Sequence, residues 1–192
     1  AEKIARAALA SKPADLDALK AAEIDGETVE AVVTDAIHVM GENTELRRFA
    51  VVEADAIASY IHGGGKIGVL VQFSVDGIDP TADAFKTCGH DVAMQVAAAA
   101  PVAANRESVD PAVIEHEMSI YKAQAAESGK PEAIQEKIAT GRLEKFYKEN
   151  VLTEQEFVKN PDQSISEYVN GVAKELGGTI KVEGFVRFVM GE

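Results

Sequence analysis

Three consecutive glycines at residues 63–65 come directly before a run of alternating apolar side chains. Glycine tolerates positive φ and close backbone approach, so the triplet predicts a tight turn. Residues 67–73 then place apolar side chains at every second position, which is typical of a strand with one buried face. With residues 56–61 as a second strand, the turn closes an antiparallel pair and presents His62 from a rigid base.

Composition limits the partners that the chain can bind. Its 192 residues include 32 acidic and 19 basic side chains, for a formal net charge of −13. This charge opposes binding to phosphate-rich surfaces, so we expect no direct contact with nucleic acid or with an anionic membrane. We find no run of about 18 apolar residues and no secretory leader, and the single cysteine, Cys88, excludes an internal disulfide. These features predict a folded protein of the cytoplasm.

Two stretches carry the strongest helix signals. In residues 28–40 the apolar side chains repeat at helical spacing, and Gly41 follows as a C-terminal stop. Ser164 and Glu167 form a capping-box pattern before a second amphipathic stretch, which Gly177 ends. Both stretches are predicted to be helices with one buried face.

Weaker signals complete the fold prediction. Residues 45–52 and 180–190 alternate enough apolar side chains to predict two further strands. Asp79 and Pro80 suit the N-cap and the first position of a helix that stops at Pro101. The order of helices and strands predicts an α+β fold with small antiparallel sheets packed on helices.

An internal similarity indicates duplication. Residues 40–49 and 176–185 each contain an apolar residue, a glycine, an aliphatic residue five positions after that glycine and a phenylalanine eight after it. Each copy follows an amphipathic helix and opens a predicted strand, so helix, glycine stop and strand recur as a unit. We therefore predict two related core subdomains.

Residues 111–150 differ from the rest because they combine high charge with one apolar seam per predicted helix. Ser128-Gly129-Lys130-Pro131 separates the two helices, since glycine ends a helix readily and proline suits the start of the next. Two helices joined by so short a turn are expected to pack as an antiparallel hairpin. Its remaining apolar surface could serve a partner.

Residue types that carry chemistry occur without complete motifs. His62 and the glycines after it match the oxyanion loop of lipases, yet the chain has no G-x-S-x-G elbow. Lys66 follows glycine as in a phosphate-binding loop, but Ile67 stands where that loop needs Ser or Thr. The four histidines and Cys88 lack the spacing of a recognised metal site. We predict no catalytic residue, no metal and no cofactor, which leaves His62 as either an exposed loop side chain or a ring presented to a partner.

Motifs distributed in order along almost the whole chain are specific enough to compare with a known family. They are Gly41-Glu42-Asn43, residues 47–49, residues 60–71, residues 91–97 with Pro101, residues 130–143, residues 154–159 and residues 185–188. Together they resemble bacterial elongation factor Ts. The resemblance implies two related core subdomains with a helical hairpin inserted in the second. On this basis the remainder of the first subdomain is residues 1–55, the second is 56–110 with 160–192, and the hairpin with its return segment is 111–159.

The resemblance also implies a function and a surface. The family promotes guanine nucleotide exchange on elongation factor Tu through protein–protein binding. In the family the histidine of the glycine turn and the loop at the Gly-Glu-Asn motif touch the GTP-binding domain of that partner. Carried onto this sequence, the partner-binding residues are His62, Gly63, Gly64, Gly41, Glu42 and Asn43.

Two features depart from the family. Its members usually begin with a small helical domain and a Thr-Asp-Phe-Val motif that wedges into the partner, and no Thr-Asp-Phe occurs here. The chain opens on Ala1 inside a helical pattern, so we expect it to be a piece of a longer protein. Glu156 replaces the proline that commonly precedes Phe157.

A second hypothesis comes from a different class of function. The chain could be an interaction module in which the hairpin drives assembly into a homo-oligomer without any exchange activity. A hydrolase that uses His62 and the glycines is a third hypothesis, for which turnover of an activated ester would be required.

Overall fold

The computed structural model describes residues 1–192. The chain folds into two compact units, residues 1–52 and residues 53–192. Seven α-helices and seven strands, all of the paired strands antiparallel, give an α+β architecture, as the sequence predicts. None of the helices combines the length and the apolar character that crossing a bilayer requires.

The first unit is mainly helical. Its elements are α1 (Glu2–Ser11), α2 (Leu16–Ala21), β1 (Glu23–Ile24), β2 (Glu27–Thr28) and α3 (Val29–Met40). The two strands are only two residues each and pair with one another in a short hairpin. A small core of Ala7, Ala8, Leu19 and Val29 holds the helices together, because these side chains lose nearly all contact with solvent.

The strand predicted for residues 45–52 is wrong. The chain there belongs to no strand, although Leu46, Phe49 and Val51 do pack against the small core of the first unit. The alternation of apolar residues therefore reports burial, while the backbone pairing that defines a strand is missing.

The second unit is built on a three-stranded sheet. Its strands are β3 (Ala56–His62), β4 (Ile67–Asp76) and β7 (Thr179–Val189), with β4 in the centre. Side chains from alternate positions face two helices, α4 (Asp83–Ala99) and α7 (Ile165–Leu176), and form the main core. Fully buried members include Val71, Phe73, Val92 and Val96. The predicted strand pair before and after the glycine turn is confirmed, and β7 adds the third strand.

Helix α4 begins later than predicted. The Asp79 carboxylate accepts hydrogen bonds from the backbone N–H and the hydroxyl of Thr81, at 2.8 and 2.7 Å, and the Asp79 carbonyl accepts one from Ala82. Asp79 therefore stabilises a turn, and the helix starts at Asp83. Asp79 and Pro80 carry a turn signal that resembles the helix signal in sequence.

The antiparallel hairpin consists of α5 (Pro111–Ala126) and α6 (Glu132–Asn150). At its base Val109, Phe146, Tyr147 and Val151 form a separate apolar cluster. In the distal half, residues 119–141, only Ala125 and Ala139 are fully buried. After the hairpin, β5 (Glu156–Phe157) and β6 (Asn160–Ser164) form a second short strand pair that leads into α7.

Helices α3 and α7 have the same local construction, which extends the similarity seen in sequence. Each is 12 residues long and begins after a hydroxyl N-cap, Thr28 or Ser164. Each ends at a glycine with positive φ, 68° at Gly41 and 79° at Gly177. Each also follows a short antiparallel strand pair. The second copy continues into a strand, β7, whereas the first does not.

Candidate partner-binding surface

The glycine turn lies at one end of the sheet in the second unit. His62 is the last residue of β3 and pairs with Ile67, the first residue of β4. The three glycines between these strands have φ values of 60°, 67° and 97°, which L side chains rarely adopt. The N–H of Met190 donates to the carbonyl of Lys66 at 2.8 Å and so ties the end of β7 to the turn. Both sides of the turn are therefore anchored in the sheet.

His62 is exposed at this end, but its ring has a partner. The hydroxyl of Tyr60 lies 3.0 Å from Nδ1 of His62, and the two ring centroids are 5.9 Å apart. Residues two apart on a strand project from the same face, so the strand itself brings the two side chains together. The sequence prediction placed His62 in the turn, whereas the structure places it in the strand, where the backbone ladder restrains it.

A third aromatic side chain, His90, comes from α4. Its ring meets Tyr60 edge to face, with centroids 5.2 Å apart and planes at 83°. The two elements approach closely because Gly89 packs on Ala58, where a Cβ at residue 89 would lie 2.8 Å from the Ala58 Cβ. Tyr60 and His90 were not predicted as site residues. The spacing of two residues between Tyr60 and His62 was the signal for Tyr60, but nothing in the sequence indicated His90.

His62, Tyr60 and His90 form a row of contacting rings, the aromatic row, and exposed apolar side chains lie near it in the structure. Ile61 is 67% exposed, and Met190, after the end of β7, is 71% exposed. A groove of about 400 Å³ also runs between β3 and the first half of α4, and its lining includes Ile57, Lys86 and His90. Apolar side chains that project singly are common on protein surfaces. Here Ile61 lies between Tyr60 and His62 on β3, an edge strand of the sheet, and projects from the opposite face. The combination suits contact with another protein.

The second predicted segment, Gly41-Glu42-Asn43, lies in the first unit. Gly41 caps α3 in the left-handed conformation, and its N–H donates to the Ile37 carbonyl at 2.9 Å. Glu42 and Asn43 follow on the surface, and Val39 just before them is 87% exposed. The cap therefore ends the helix abruptly and leaves a short accessible segment. The predicted site residues thus fall in two units, and the aromatic row belongs to the second alone.

A cavity of about 890 Å³ lies beside the end of α6 and the β5–β6 pair. Two amide side chains there are buried, but their hydrogen-bonding groups are occupied. Gln95 donates to the Glu156 carbonyl at 3.1 Å and accepts from the Val158 N–H at 2.9 Å. Gln155 donates to the Glu149 carbonyl at 2.9 Å. These bonds fasten the return segment to α4 and to the end of α6, which is a structural task.

Other groups that could take part in chemistry are also held by the fold. Asp91 is buried and accepts from Lys159 at 2.6 Å and from the Tyr168 hydroxyl at 2.9 Å. Burial raises the pKa of the Cys88 thiol to about 12, which makes it a weak nucleophile near neutral pH. No three His, Cys, Asp or Glu side chains are grouped so that they could hold a metal ion.

Comparison with known proteins supports the assignment made from the sequence motifs. Residues 1–192 match the family model described as Elongation factor TS. Elongation factor Ts of Trichlorobacter lovleyi is 43% identical over 197 aligned positions, which cover all of this chain and 63% of that protein. Elongation factor Ts of Clostridium botulinum, strain ATCC 19397, is 46% identical over 170 positions, covering 88% of this chain and 54% of the relative. The protein from Clostridium kluyveri is 44% identical over 170 positions, with 88% and 55% covered. The chain thus spans between half and two thirds of the length of these relatives, and it belongs to the elongation factor Ts family.

Proposed function

We propose that this chain promotes guanine nucleotide exchange on elongation factor Tu by binding it directly. The observation that carries the proposal is the exposed His62 ring, held on a strand end beside a glycine turn by the Tyr60 hydroxyl. Family membership supports the same function. A role on this partner implies a location in the cytoplasm.

The proposed mechanism is a thermodynamic coupling between two ligands of the same partner. If the chain binds nucleotide-free elongation factor Tu more tightly than the nucleotide-bound form, it weakens nucleotide binding by the same factor, because the binding cycle closes. No bond is made or broken in this step, so the mechanism needs no acid, base or nucleophile. In this proposal His62 presses on the GTP-binding domain, and Gly63 and Gly64 allow the close backbone approach.

The first test measures release of a fluorescent GDP analogue from elongation factor Tu. His62→Ala is expected to slow the stimulated release by roughly 5- to 30-fold, which corresponds to about 1–2 kcal/mol for one truncated interface side chain. The matched control is His116→Ala, since His116 is an exposed histidine on α5, outside the aromatic row. Release at the wild-type rate in His62→Ala would remove His62 from the mechanism. Absence of any affinity for elongation factor Tu, empty or loaded, would overturn the function.

We propose a contact at Gly41, Glu42 and Asn43 as well. Their exposure beside the left-handed cap supports this role. Glu42→Ala and Asn43→Ala remove side chains without touching the cap, so a weaker association with elongation factor Tu would reflect the contact itself. Affinities equal to wild type in both variants would exclude this segment. The division into subdomains is likewise a proposal: residues 1–55 for the first, residues 56–110 with 160–192 for the second, and residues 111–159 for the hairpin with its return segment.

The hairpin favours a second candidate function, self-association. Its distal half buries only two alanines, while Ile134 on α6 is 44% exposed. A variant that lacks residues 122–142, closed by a short Gly-Ser turn, separates the two functions. If the hairpin drives assembly, light scattering will show fewer copies of the chain per particle than for the wild type, and the rate of nucleotide exchange will not change. The same number of copies per particle in both proteins would exclude an assembly role for the hairpin.

A further inference from the structure

We propose that Tyr60 is a positioning residue for His62, fixing both the orientation and the tautomer of its ring. This inference rests on the proposed function, in which His62 contacts the partner. It assigns a task to a side chain that is itself half-buried and is not among the predicted contact residues.

The Tyr60 ring is restrained on several sides. Its backbone pairs with Val69 within the β3–β4 ladder, and its ring packs against the main core. The edge-to-face contact with His90, at 5.2 Å and 83°, closes another side. A tyrosine held in this way has its hydroxyl at a defined point, and that point is 3.0 Å from Nδ1 of His62. The position of an exposed ring is thereby set from inside the domain.

The donor and acceptor roles of Tyr60 and His62 depend on the tautomer of the histidine ring. A neutral imidazole has one nitrogen that donates and one that accepts, and its environment decides which is which. A phenol is a better hydrogen-bond donor than acceptor, so in this proposal the Tyr60 O–H donates to Nδ1 and the ring proton resides on Nε2. That N–H is then available as a donor to a carbonyl or carboxylate of the partner. With the opposite tautomer the same nitrogen would be an acceptor, and the partner would meet the wrong hydrogen-bonding group.

Restraint also has an energetic consequence. An exposed histidine normally exchanges between rotamers, and ordering such a side chain on binding reduces affinity. Because Tyr60 orders the ring before the partner arrives, loss of the hydroxyl should act only through His62. This requirement separates positioning from a general loss of stability.

The experiment is a double-mutant cycle on nucleotide release from elongation factor Tu, combined with NMR of the free chain. Tyr60→Phe keeps the ring and removes the hydroxyl, and we expect release to slow by roughly 3- to 10-fold, the scale of one hydrogen bond. In the His62→Ala background the same change should have no further effect. Tyr121→Phe is the matched control, because Tyr121 is a half-buried tyrosine of the hairpin.

The NMR measurement needs no partner and is decisive on its own. The ¹⁵N shifts of His62 should report a proton on Nε2 in the wild type, and they should move toward averaged values in Tyr60→Phe. Unchanged His62 shifts in that variant would overturn the inference, as would a Tyr60→Phe effect of equal size with and without His62. If His62→Ala itself leaves release unchanged, the role of His62 in exchange fails, and the NMR result still decides whether Tyr60 sets the ring.

Discussion

Gly89 and Ala58 touch where helix α4 crosses strand β3, and the contact leaves no room for a side chain on the helix. A Cβ added at residue 89 would lie 2.8 Å from the Cβ of Ala58, well inside van der Waals contact. Glycine ordinarily weakens a helix interior by about 1 kcal/mol relative to alanine. Here the close approach offsets that cost, because it allows His90 to reach Tyr60.

Gly89→Ala should therefore destabilise the protein, although alanine is the better helix former. We expect a loss of about 1–3 kcal/mol in the free energy of unfolding, as for other overpacked contacts. Gly171→Ala in α7 is the matched control, since its Cβ would meet nothing within 4 Å, and it should stabilise by about 0.5–1 kcal/mol. Urea denaturation of both variants measures whether each substitution raises or lowers the free energy of unfolding. A stabilised Gly89→Ala variant would refute the contact.

Arg106 joins the base of the hairpin to the segment that follows it. Its guanidinium donates to both carboxylate oxygens of Glu144, at 3.0 and 2.7 Å, and also donates to the carboxylate of Glu154. It lies 4.4 Å from the centre of the Tyr147 ring. Lysine keeps the charge but has neither the planar fork nor the stacking surface. Arg106→Lys should lower Tm by roughly 2–4 °C, because partly exposed ion pairs contribute little individually. Calorimetry tests this, and an unchanged Tm would show that the charge alone suffices.

The ion pair between Arg106 and Glu144 makes a pH-dependent contribution to the free energy of unfolding. The hydrogen bond from Arg106 lowers the pKa of Glu144 below the ordinary value of 4.5. A carboxyl with a lowered folded-state pKa stabilises the protein above its unfolded pKa and loses that contribution as the pH falls through the folded value. The stability difference between wild type and Arg106→Gln should therefore be constant near pH 7 and shrink below pH 4.5. A difference that stays the same down to pH 3 would contradict this assignment.

The N-terminus of α7 has a complete capping box. The Ser164 hydroxyl accepts from the Glu167 N–H at 3.2 Å, and the Glu167 carboxylate accepts from the Ser164 N–H at 2.7 Å. Ser164→Ala should cost about 1 kcal/mol of unfolding free energy, the usual effect of losing an N-cap. Ser166→Ala, two residues later, has no capping role and should change stability little. Equal effects of the two substitutions would contradict the capping role.

The thiol of Cys88 reports on the main core. Cys88 is completely buried and burial raises its pKa to about 12, so a thiol reagent at pH 8 meets almost no thiolate. Labelling of the native chain should be at least about a hundredfold slower than in urea. Because the chain has no other cysteine, the signal needs no correction. Rapid stoichiometric labelling of the native chain would show that α4 opens readily.

Local signals in the sequence were sufficient to predict the helices. Both α3 and α7 begin after Thr28 or Ser164 and end at Gly41 or Gly177, because capping and left-handed glycine act within a few residues. Asp79 shows the limit of this reasoning. An aspartate before proline suits a turn as well as an N-cap, and only the surrounding chain decides between them.

Strand pairing depends on a partner that periodicity does not identify. Residues 180–190 alternate and do form most of β7, but their pairing with β4 joins positions more than 100 residues apart, such as Phe73 and Val182. Residues 45–52 alternate too, yet the strands of their own unit are two residues long and already pair with each other. The hydrophobic pattern predicted burial at Leu46 and Phe49, and burial is what the structure shows.

The candidate site also combines features that the sequence predicts with features that it does not. Positive φ in the glycine turn was predictable, because three glycines in a row have few other uses. The bond from Tyr60 to His62 was implicit in their spacing, whereas the contact with His90 depends on how closely α4 approaches the sheet. That distance is a property of the packed unit and is set by Gly89.

The hairpin has an uneven distribution of packing along its length. Phe146, Tyr147 and the Arg106 ion pairs lie at its base, while between residues 119 and 141 only two alanines are fully buried. Amide protons should therefore exchange first around Gly129 and last near Val151, as unzipping proceeds from the free end inward. A protein that binds the outer turns would bend or unfold them at little energetic cost. Force applied there would reach the sheet only after the aromatic cluster at the base had unfolded.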